Sequence, residues 1–441
     1  MFFPGTGNGR KTVHILASLN YSADTHYNVL HHSLRKPPYD KTRVTEHLVM
    51  FGFGKSSSKN VTKGAKAGFQ STKGSTVLVT GSSGFVGARL VEMLLERGAK
   101  TVICFDIVTP NDVLQQRFYD VQKMTSGKLV IKAGKEGDIT NQAVVDAAFA
   151  SVKQIDMVYH IAALVGPFHP HELYRKVNYD GTMNILNACR TYKVPKLVNS
   201  SSPSTRFTGK DIEGASEDDL YIPETFLAAY AESKAYAEKE VTKACCDQLL
   251  TINVAPHQVY GPHDGLFVPK LMETCGSGRL RIFGNGKNMI SVCYVDNYCH
   301  GLMCGADTLA KGSPSLGKFY IITDEKPVMF WKMINQAALK LGFADLEKKF
   351  HLPVLLLYFL AYFCNFLGYL LNKNFKLNPF NVKMLTIHRY FSIDNARRDL
   401  GYEPLVLHDE AWNMTIEWFR VYWLPQWKVE GSKDLGGKKL D

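Results

Sequence analysis

Thr76-Val77-Leu78-Val79-Thr80-Gly81-Ser82-Ser83-Gly84-Phe85-Val86-Gly87 decides how this chain folds. Thr76–Thr80 is a β-branched run of strand type. A turn punctuated by glycines follows, and Phe85–Arg97 carries a helical pattern that Gly98 ends in the way a C′ glycine does. A second strand, Thr101–Phe105, closes on Asp106. Similar apolar runs recur at Leu129–Ile131, Met157–Ala162, Leu197–Ser200 and Leu250–Ala255, with helical stretches between them. Strand alternating with helix predicts an α/β fold built on a doubly wound parallel sheet. Beyond Tyr260 the alternation fades into a smaller, discontinuous lobe.

Gly81, Gly84 and Gly87 have the spacing of a dinucleotide-binding turn, in the context that gives such a triplet meaning: strand before, helix after, and an acid 19 residues past the last glycine. Gly81 permits the tight turn, Gly84 the approach of a pyrophosphate to the helix N-terminus, and Gly87 close helix–strand packing. Ser83, Phe85 and Val86 supply the neighbouring backbone. Asp106 is placed to accept both ribose hydroxyls, and a 2′-phosphate there would meet like charge, so NAD is expected over NADP. Asp138 and Ile139 follow the third strand, near the adenine. Ala162 ends the fourth, where a small side chain leaves room for cofactor, and His160 beside it reads as a satisfied core histidine.

Tyr230-Ala231-Glu232-Ser233-Lys234 sits in a helical stretch, so Tyr230 and Lys234 share a face one turn apart. A free phenol ionises near pH 10, too high for a base at neutral pH. The lysine ammonium and an oxidised nicotinamide are expected to lower that value, letting Tyr230 take the proton of an alcohol while its hydride leaves. Ser202 of Ser200-Ser201-Ser202 is the candidate to hydrogen-bond the reacting oxygen, with Ser201 second. Asn178 is placed to hold a water against the Lys234 region or to make a polar contact inside its helix. Arg206, four residues past Ser202, is a candidate for a substrate anion.

These residues together resemble the extended short-chain dehydrogenases from about Thr76 to Tyr422, and Val177–Lys234 resembles their 3β-hydroxysteroid dehydrogenase branch. Tyr174–Tyr179 (YRKVNY), Pro256–Pro262 (PHQVYGP), Gly284–Asn288 (GNGKN) and Ala396–Pro404 (ARRDLGYEP) are similar to the decarboxylating sterol-4α-carboxylate 3-dehydrogenases. Ala255 stands where that family usually has arginine, and Ser291-Val292 where it has Asp-Phe. The resemblance implies Tyr230 and Lys234 as the proton-transfer pair, Val259 as a cofactor neighbour, and NAD-dependent oxidation of a 4α-carboxysterol with loss of carbon dioxide. It also implies a sterol or steroid substrate, a membrane surface, and other sterol-demethylation enzymes or a second copy of the chain as partners. Two rival readings stay open. One is another enzyme of the same fold, such as a sugar-nucleotide epimerase or flavonoid-type reductase. The other is an NAD-binding regulatory protein without turnover.

Composition bounds these readings. Of the 441 residues, 45% are apolar and 21% charged, which is ordinary for a globular chain. The net charge of +11 is concentrated at one end: residues 1–75 carry 11 Lys+Arg against 3 Asp+Glu, the remainder 41 against 38. A nearly neutral body does not read as a nucleic-acid binder. Nine cysteines without a C-x-x-C pair predict packing residues in a reducing compartment, and no zinc-ligand spacing is present. The expected divisions are a basic, disordered extension (1–73), an NAD-binding domain with the Tyr/Lys pair (74–262), a substrate lobe with return segments to the sheet (263–345), an apolar segment (346–378) and a closing segment (379–441). A transit peptide is the alternative for the extension, and Met50 an alternative start.

Leu352–Leu371 is apolar apart from Asn365 and has lysines on both sides. At 1.5 Å per residue it is long enough to cross a bilayer. Phe391–Leu407, however, resembles a part of the family that folds back on the catalytic lobe. The segment is therefore expected to lie in the membrane plane or re-enter it, with Trp412–Trp427 as interfacial aromatics. The ending Lys438-Lys439-Leu440-Asp441 resembles a dilysine retrieval signal, which places the protein on the cytosolic face of the endoplasmic reticulum.

Overall fold

The computed structural model describes residues 70–166, 169–371 and 377–434; the basic extension through residue 69 and the final Lys438–Asp441 lie outside them. Seven strands form the main sheet: β1 (Thr76–Thr80), β2 (Thr101–Asp106), β3 (Lys128–Ala133), β4 (Met157–His160), β5 (Lys196–Ser200), β6 (Leu250–Pro256) and β7 (Phe319–Ile322). Their order is β7-β6-β5-β4-β1-β2-β3, and every pairing is parallel. The chain steps outward from β1 to β3, returns to the middle at β4 and continues to the other edge. That reversal opens a crevice at the carboxyl ends of β1 and β4, where such sheets bind ligands.

Burial explains why the strands are apolar runs. In β1, Val77 and Val79 enter the core on one face of the sheet, and Leu78 enters the core on the other. In β2, Val102 and Cys104 divide in the same way from Ile103 and Phe105. A strand covered on both faces needs apolar residues at successive positions, not alternate ones. Each such fully buried aliphatic side chain contributes about 1.5–3 kcal/mol. The first helix runs Phe85–Glu96, and Gly98 beyond it takes φ +87°, the left-handed conformation of a helix-ending glycine.

The second lobe is assembled from afar. Its four-stranded sheet sets Val328–Met329, Met289–Ile290, Arg389–Phe391 and Ile212–Ala215 side by side. The segment after Phe391 packs on the main body: Tyr402 donates to the carbonyl of Thr323 at 3.1 Å, and Asn297 holds the backbone of Val406 on both sides.

The apolar helix spans Val354–Leu371, opening after Leu352 bridges to Phe283. Only Leu357, Ala361 and Gly368 are buried along it. Leu357 and Ala361 pack with Val382, Phe283 and Leu352, which ties the helix lengthwise to the body. The rest of its surface is exposed and apolar, Leu355 and Tyr369 reaching 86% exposure. The tryptophans correct an expectation. Trp412 is buried against Tyr260 and His408, Trp418, Trp423 and Trp427 pack on the main core, and Trp427 fills the space beside Gly276. They pack into or against the core, Trp412 fully and the other three in part, so packing accounts for their clustering.

Candidate active site

Gly81 leaves β1 at φ +71°, and a methyl on it would lie 2.8 Å from the Ala162 nitrogen. A methyl at Gly87 would overlap the Gly81 carbonyl oxygen, so the helix can start this close to the strand only on glycine. At Gly84, the helix N-cap, no side chain caps the helix, and the first turn holds no acid. Free backbone N–H groups at a helix start attract an anion. The outer face of Gly84 is open, with only the Gly81 oxygen within 4 Å of an added methyl. This cradle fits a pyrophosphate.

Asp106 sits at the end of β2 and holds the cradle's shape. Its two oxygens accept from the Ser83 and Val108 amides, each at 2.8 Å. Burial pushes its carboxyl above the usual range, while these amides pull it back. The Ser83 hydroxyl donates to the Val108 carbonyl at 2.7 Å. Asp138 turns its carboxylate onto the Thr140 amide and hydroxyl, and Ile139 is buried against Gly181. Phe85, Val86 and Val259 pack on the same core, and Gly261, two residues past Val259, approaches the Phe85 ring.

At the end of β4 the polar groups form one chain. The Thr80 hydroxyl accepts from the Ile161 and Ala162 amides at 3.0 and 3.1 Å and meets His160 Nδ1 at 2.8 Å. His160 Nε2 meets the Thr182 hydroxyl at 2.9 Å, which in turn donates to the Asn178 carbonyl. Since Thr182 spends its proton on Asn178, His160 must donate from Nε2 and accept at Nδ1. Burial, then the charge of Lys234, depresses the ring to about 3, so it stays neutral. His160 is a satisfied core histidine.

The catalytic helix is Ala229–Lys243, with Tyr230 in its first turn, where the helix dipole favours negative charge. The Ser202 hydroxyl lies beside the Tyr230 phenol and favours its ionised form, and the Tyr174 ring meets the Tyr230 ring edge-on at 6.2 Å. Lys234 Nζ donates to the Ser200 carbonyl at 2.5 Å. Burial raises the Tyr230 phenol above its ordinary value, against the pull of Ser202. The direction is opposite to the one expected, because burial of the phenol dominates. Burial also brings Lys234 down to about 8.

Two serine readings separate. Ser201 gives its proton to Glu238 at 2.5 Å, whereas the Ser202 hydroxyl lies beside the Tyr230 phenol. Asn178 makes the polar contact: it lies in a wide π-type turn, Arg175–Asp180, binds both backbone groups of Leu164, and donates to Ser233 at 3.0 Å. Ser233 donates to the Tyr230 carbonyl, so Asn178 ties the segment after β4 to the catalytic helix. Arg206 is a correction. Both its terminal nitrogens bond Glu238, at 2.6 and 3.0 Å, and its guanidinium lies 3.4 Å over the Phe319 ring. Its anion is internal. Sequence reasoning missed Glu238, one turn past Lys234, and Tyr174; helical spacing from Tyr230 points to the first and nothing local to the second.

Among the described residues no cluster of His, Cys, Asp and Glu is arranged to hold a metal ion. The site thus combines an anion cradle, a buried acid at the end of β2 and a phenol–serine–lysine group, all at the carboxyl edge of one parallel sheet.

Residues 78–354 match the 3-beta hydroxysteroid dehydrogenase/isomerase family. The mouse sterol-4-alpha-carboxylate 3-dehydrogenase, decarboxylating, is 30% identical, over 79% of this chain and 92% of its own. A 2-alkyl-3-oxoalkanoate reductase of Stenotrophomonas maltophilia is 32% identical, over 76% of this chain and 96% of its own. Among solved structures, the dTDP-glucose 4,6-dehydratase DesIV of Streptomyces venezuelae with NAD bound superposes with a TM-score of 0.60, covering 79% of this chain and 99% of that one at 20% identity. That likeness shows the fold. Sheet order, glycine cradle and tyrosine–lysine helix agree with the sequence match: this chain belongs to the 3-beta hydroxysteroid dehydrogenase/isomerase family and is a nicotinamide-dependent oxidoreductase of the extended short-chain dehydrogenase type.

Proposed function

We propose that this protein oxidises the 3β-hydroxyl of a 4α-carboxysterol to the 3-ketone, using NAD, with loss of the 4-carboxyl as carbon dioxide. The observation that carries this reading is Tyr230 and Lys234 one turn apart on a buried helix with the Ser202 hydroxyl beside the phenol, in a chain about 30% identical to several decarboxylating sterol dehydrogenases. The two kinds of relative are named for different skeletons, a sterol and an alkanoate. Both names describe an oxygen-bearing carbon one bond from the carbon that carries a carboxylate. A β-oxygenated acid is their common substrate unit.

Bound nicotinamide supplies the hydride acceptor. The glycine cradle, Asp106, Asp138 with Ile139, Ala162 and Lys234 are the residues that would hold the dinucleotide, and the buried carboxylate of Asp106 favours a free 2′-hydroxyl, hence NAD. Ser202 orients the substrate hydroxyl and Tyr230 takes its proton. Lys234 holds positive charge beside the phenolate that accepts this proton. The 3-ketone then lies β to the carboxylate, so the bond to the carboxyl carbon breaks with its electron pair delocalised into the enolate. A proton returns to carbon 4. No metal is needed, because the ketone is the electron sink.

The exposed apolar helix accords with a substrate drawn from lipid, and we place the enzyme on the cytosolic face of the endoplasmic reticulum. Purified protein, NAD and a 4α-carboxysterol should yield NADH and a decarboxylated 3-ketosterol in equal amounts. Absence of both, with turnover of a 2-alkyl-3-oxoalkanoate by reduced nicotinamide, would instead favour the alkanoate reading that the bacterial relative supports.

A further inference from the structure

One half-buried arginine has no acidic partner among the described residues. Arg389 opens the strand Arg389–Phe391, which lies between Met289–Ile290 and Ile212–Ala215. Its Nε is sealed from solvent without a hydrogen-bond partner, and no ion pair or side-chain hydrogen bond of its guanidinium is present among the described residues. Other half-buried arginines differ: Arg89 meets Asp296 at 2.8 Å and Arg206 meets Glu238 at 2.6 Å. A guanidinium held half out of water without an acid keeps its terminal N–H donors for an external anion.

Its surroundings locate it. The Arg389 guanidinium lies 5.8 Å from the Phe207 ring, at the end of the segment that Ser202 begins. Phe391, on the same face of the strand, packs edge-on against His257 at 5.1 Å, and His257 directly follows β6. His257 Nδ1 donates to the Ser291 carbonyl at 2.6 Å, and the positive charge of Arg389 adds to burial in depressing its ring. Arg389 therefore stands between the ends of β5 and β6, on the carboxyl edge of the sheet. The glycine cradle occupies the β1–β2 part of that edge, with Tyr230 and Ser202 between. Burial lowers the guanidinium to about 10, which leaves it charged at neutral pH.

We infer that Arg389 is the group that receives the substrate's carboxylate, and so selects an acid over a neutral alcohol of the same shape. This rests on the proposed function for the identity of the acid. A planar guanidinium binds a carboxylate through two parallel N–H donors and fixes its plane as well as its charge.

The test compares a 4α-carboxysterol with its methyl ester, which keeps the shape and loses the charge. Calorimetric titration into the NAD-bound protein gives a Kd ratio, and turnover gives a kcat/KM ratio. Arg389→Met should lower the preference for acid over ester by about 100-fold in both ratios, and Arg389→Lys should recover part of it. Should Arg389→Met fold poorly, Arg389→Gln and Arg389→Lys provide the same ratios, with NAD affinity as the check on folding. Equal losses for acid and ester would make Arg389 a packing residue and overturn the inference. Should the wild type bind the acid selectively through Arg389 yet oxidise neither compound, the proposed function fails while the anion site stands.

Discussion

The cofactor side and the substrate side of the sheet edge handle polar groups in opposite ways. Around the glycine cradle each side chain already has a partner: Asp106 on Ser83 and Val108, His160 between Thr80 and Thr182, Asp138 on Thr140. On the substrate side, the half-buried Arg389 has no acidic partner among the described residues. A cofactor of fixed shape is met by a preformed, internally bonded surface, and its recognition falls largely to backbone donors. A substrate defined by one charged group is met by a charge kept in reserve. Tyr230, Ser202 and Lys234 lie where the two sides join.

The largest expected effect is at that junction. Tyr230→Phe removes the proton acceptor and leaves the cradle untouched, so turnover should fall by about 10²–10⁴-fold. NAD affinity should hold. Activity above about a tenth of wild type would show that another group takes the proton.

Lys234 sharpens the comparison through pH. Burial lowers its pKa from 10.5 to about 8, so the native state carries the proton only below about 8, whereas the unfolded chain carries it up to 10.5. Between those values the unfolded state binds more protons, and unfolding free energy rises with pH. Relative to Lys234→Met, wild type should gain up to about 3 kcal/mol across that window, at 1.36 kcal/mol per pK unit. Denaturant titrations at pH 7.5 and 10 measure the difference, and a gap that does not change with pH would mean the ammonium is better solvated than its burial implies.

How much of this could be read from the sequence depends on how far apart the partners lie. The glycine turn, Asp106 and the Tyr230–Lys234 pair are local patterns, legible because strand, turn and helix spacing put their atoms together. Arg206 was misread because its partner Glu238 lies 32 residues on, and only the packing of helix on loop reveals the pair. The second-lobe sheet joins residues 212 to 391, and no periodicity announces strands of two to four residues. Arg389 is invisible for the same reason: what distinguishes it is the lack of a neighbour, and neighbours are set by tertiary structure. The tryptophans of the last helices misled because aromatic clustering serves packing as well as interfaces.

A smaller effect tests the cradle. Gly87→Ala places a methyl against the Gly81 carbonyl, and helix and strand must separate to admit it. Overpacking of this kind costs about 1–3 kcal/mol. Weaker NAD binding should accompany the loss, since the helix start and the turn move together. A melting temperature and NAD affinity equal to wild type would mean the turn tolerates that shift.

The smallest effect on chemistry should come from the most conspicuous surface. Val354–Leu371 has a mean hydropathy of 2.0 with only 17% of it buried, which is long and apolar enough to cross a membrane. Its buried positions, Leu357, Ala361 and Gly368, form one stripe at helical spacing, and that stripe is docked on the body through Phe283 and Val382. A helix spanning a bilayer would carry this docking surface, and the globular lobe attached to it, into hydrocarbon, where loop backbone lacks partners. A helix lying in the interface keeps the stripe on the body and offers Leu355, Phe359, Tyr362 and Phe366 to lipid. Replacing Leu355, Phe359 and Phe366 by serine should therefore release the enzyme from liposomes while leaving kcat on a detergent-solubilised sterol unchanged. A tag after Asp441 should be removed by protease added outside intact microsomes. A protected tag on a digested catalytic domain would mean that the helix crosses, and the docking of its stripe on the body would have to be abandoned.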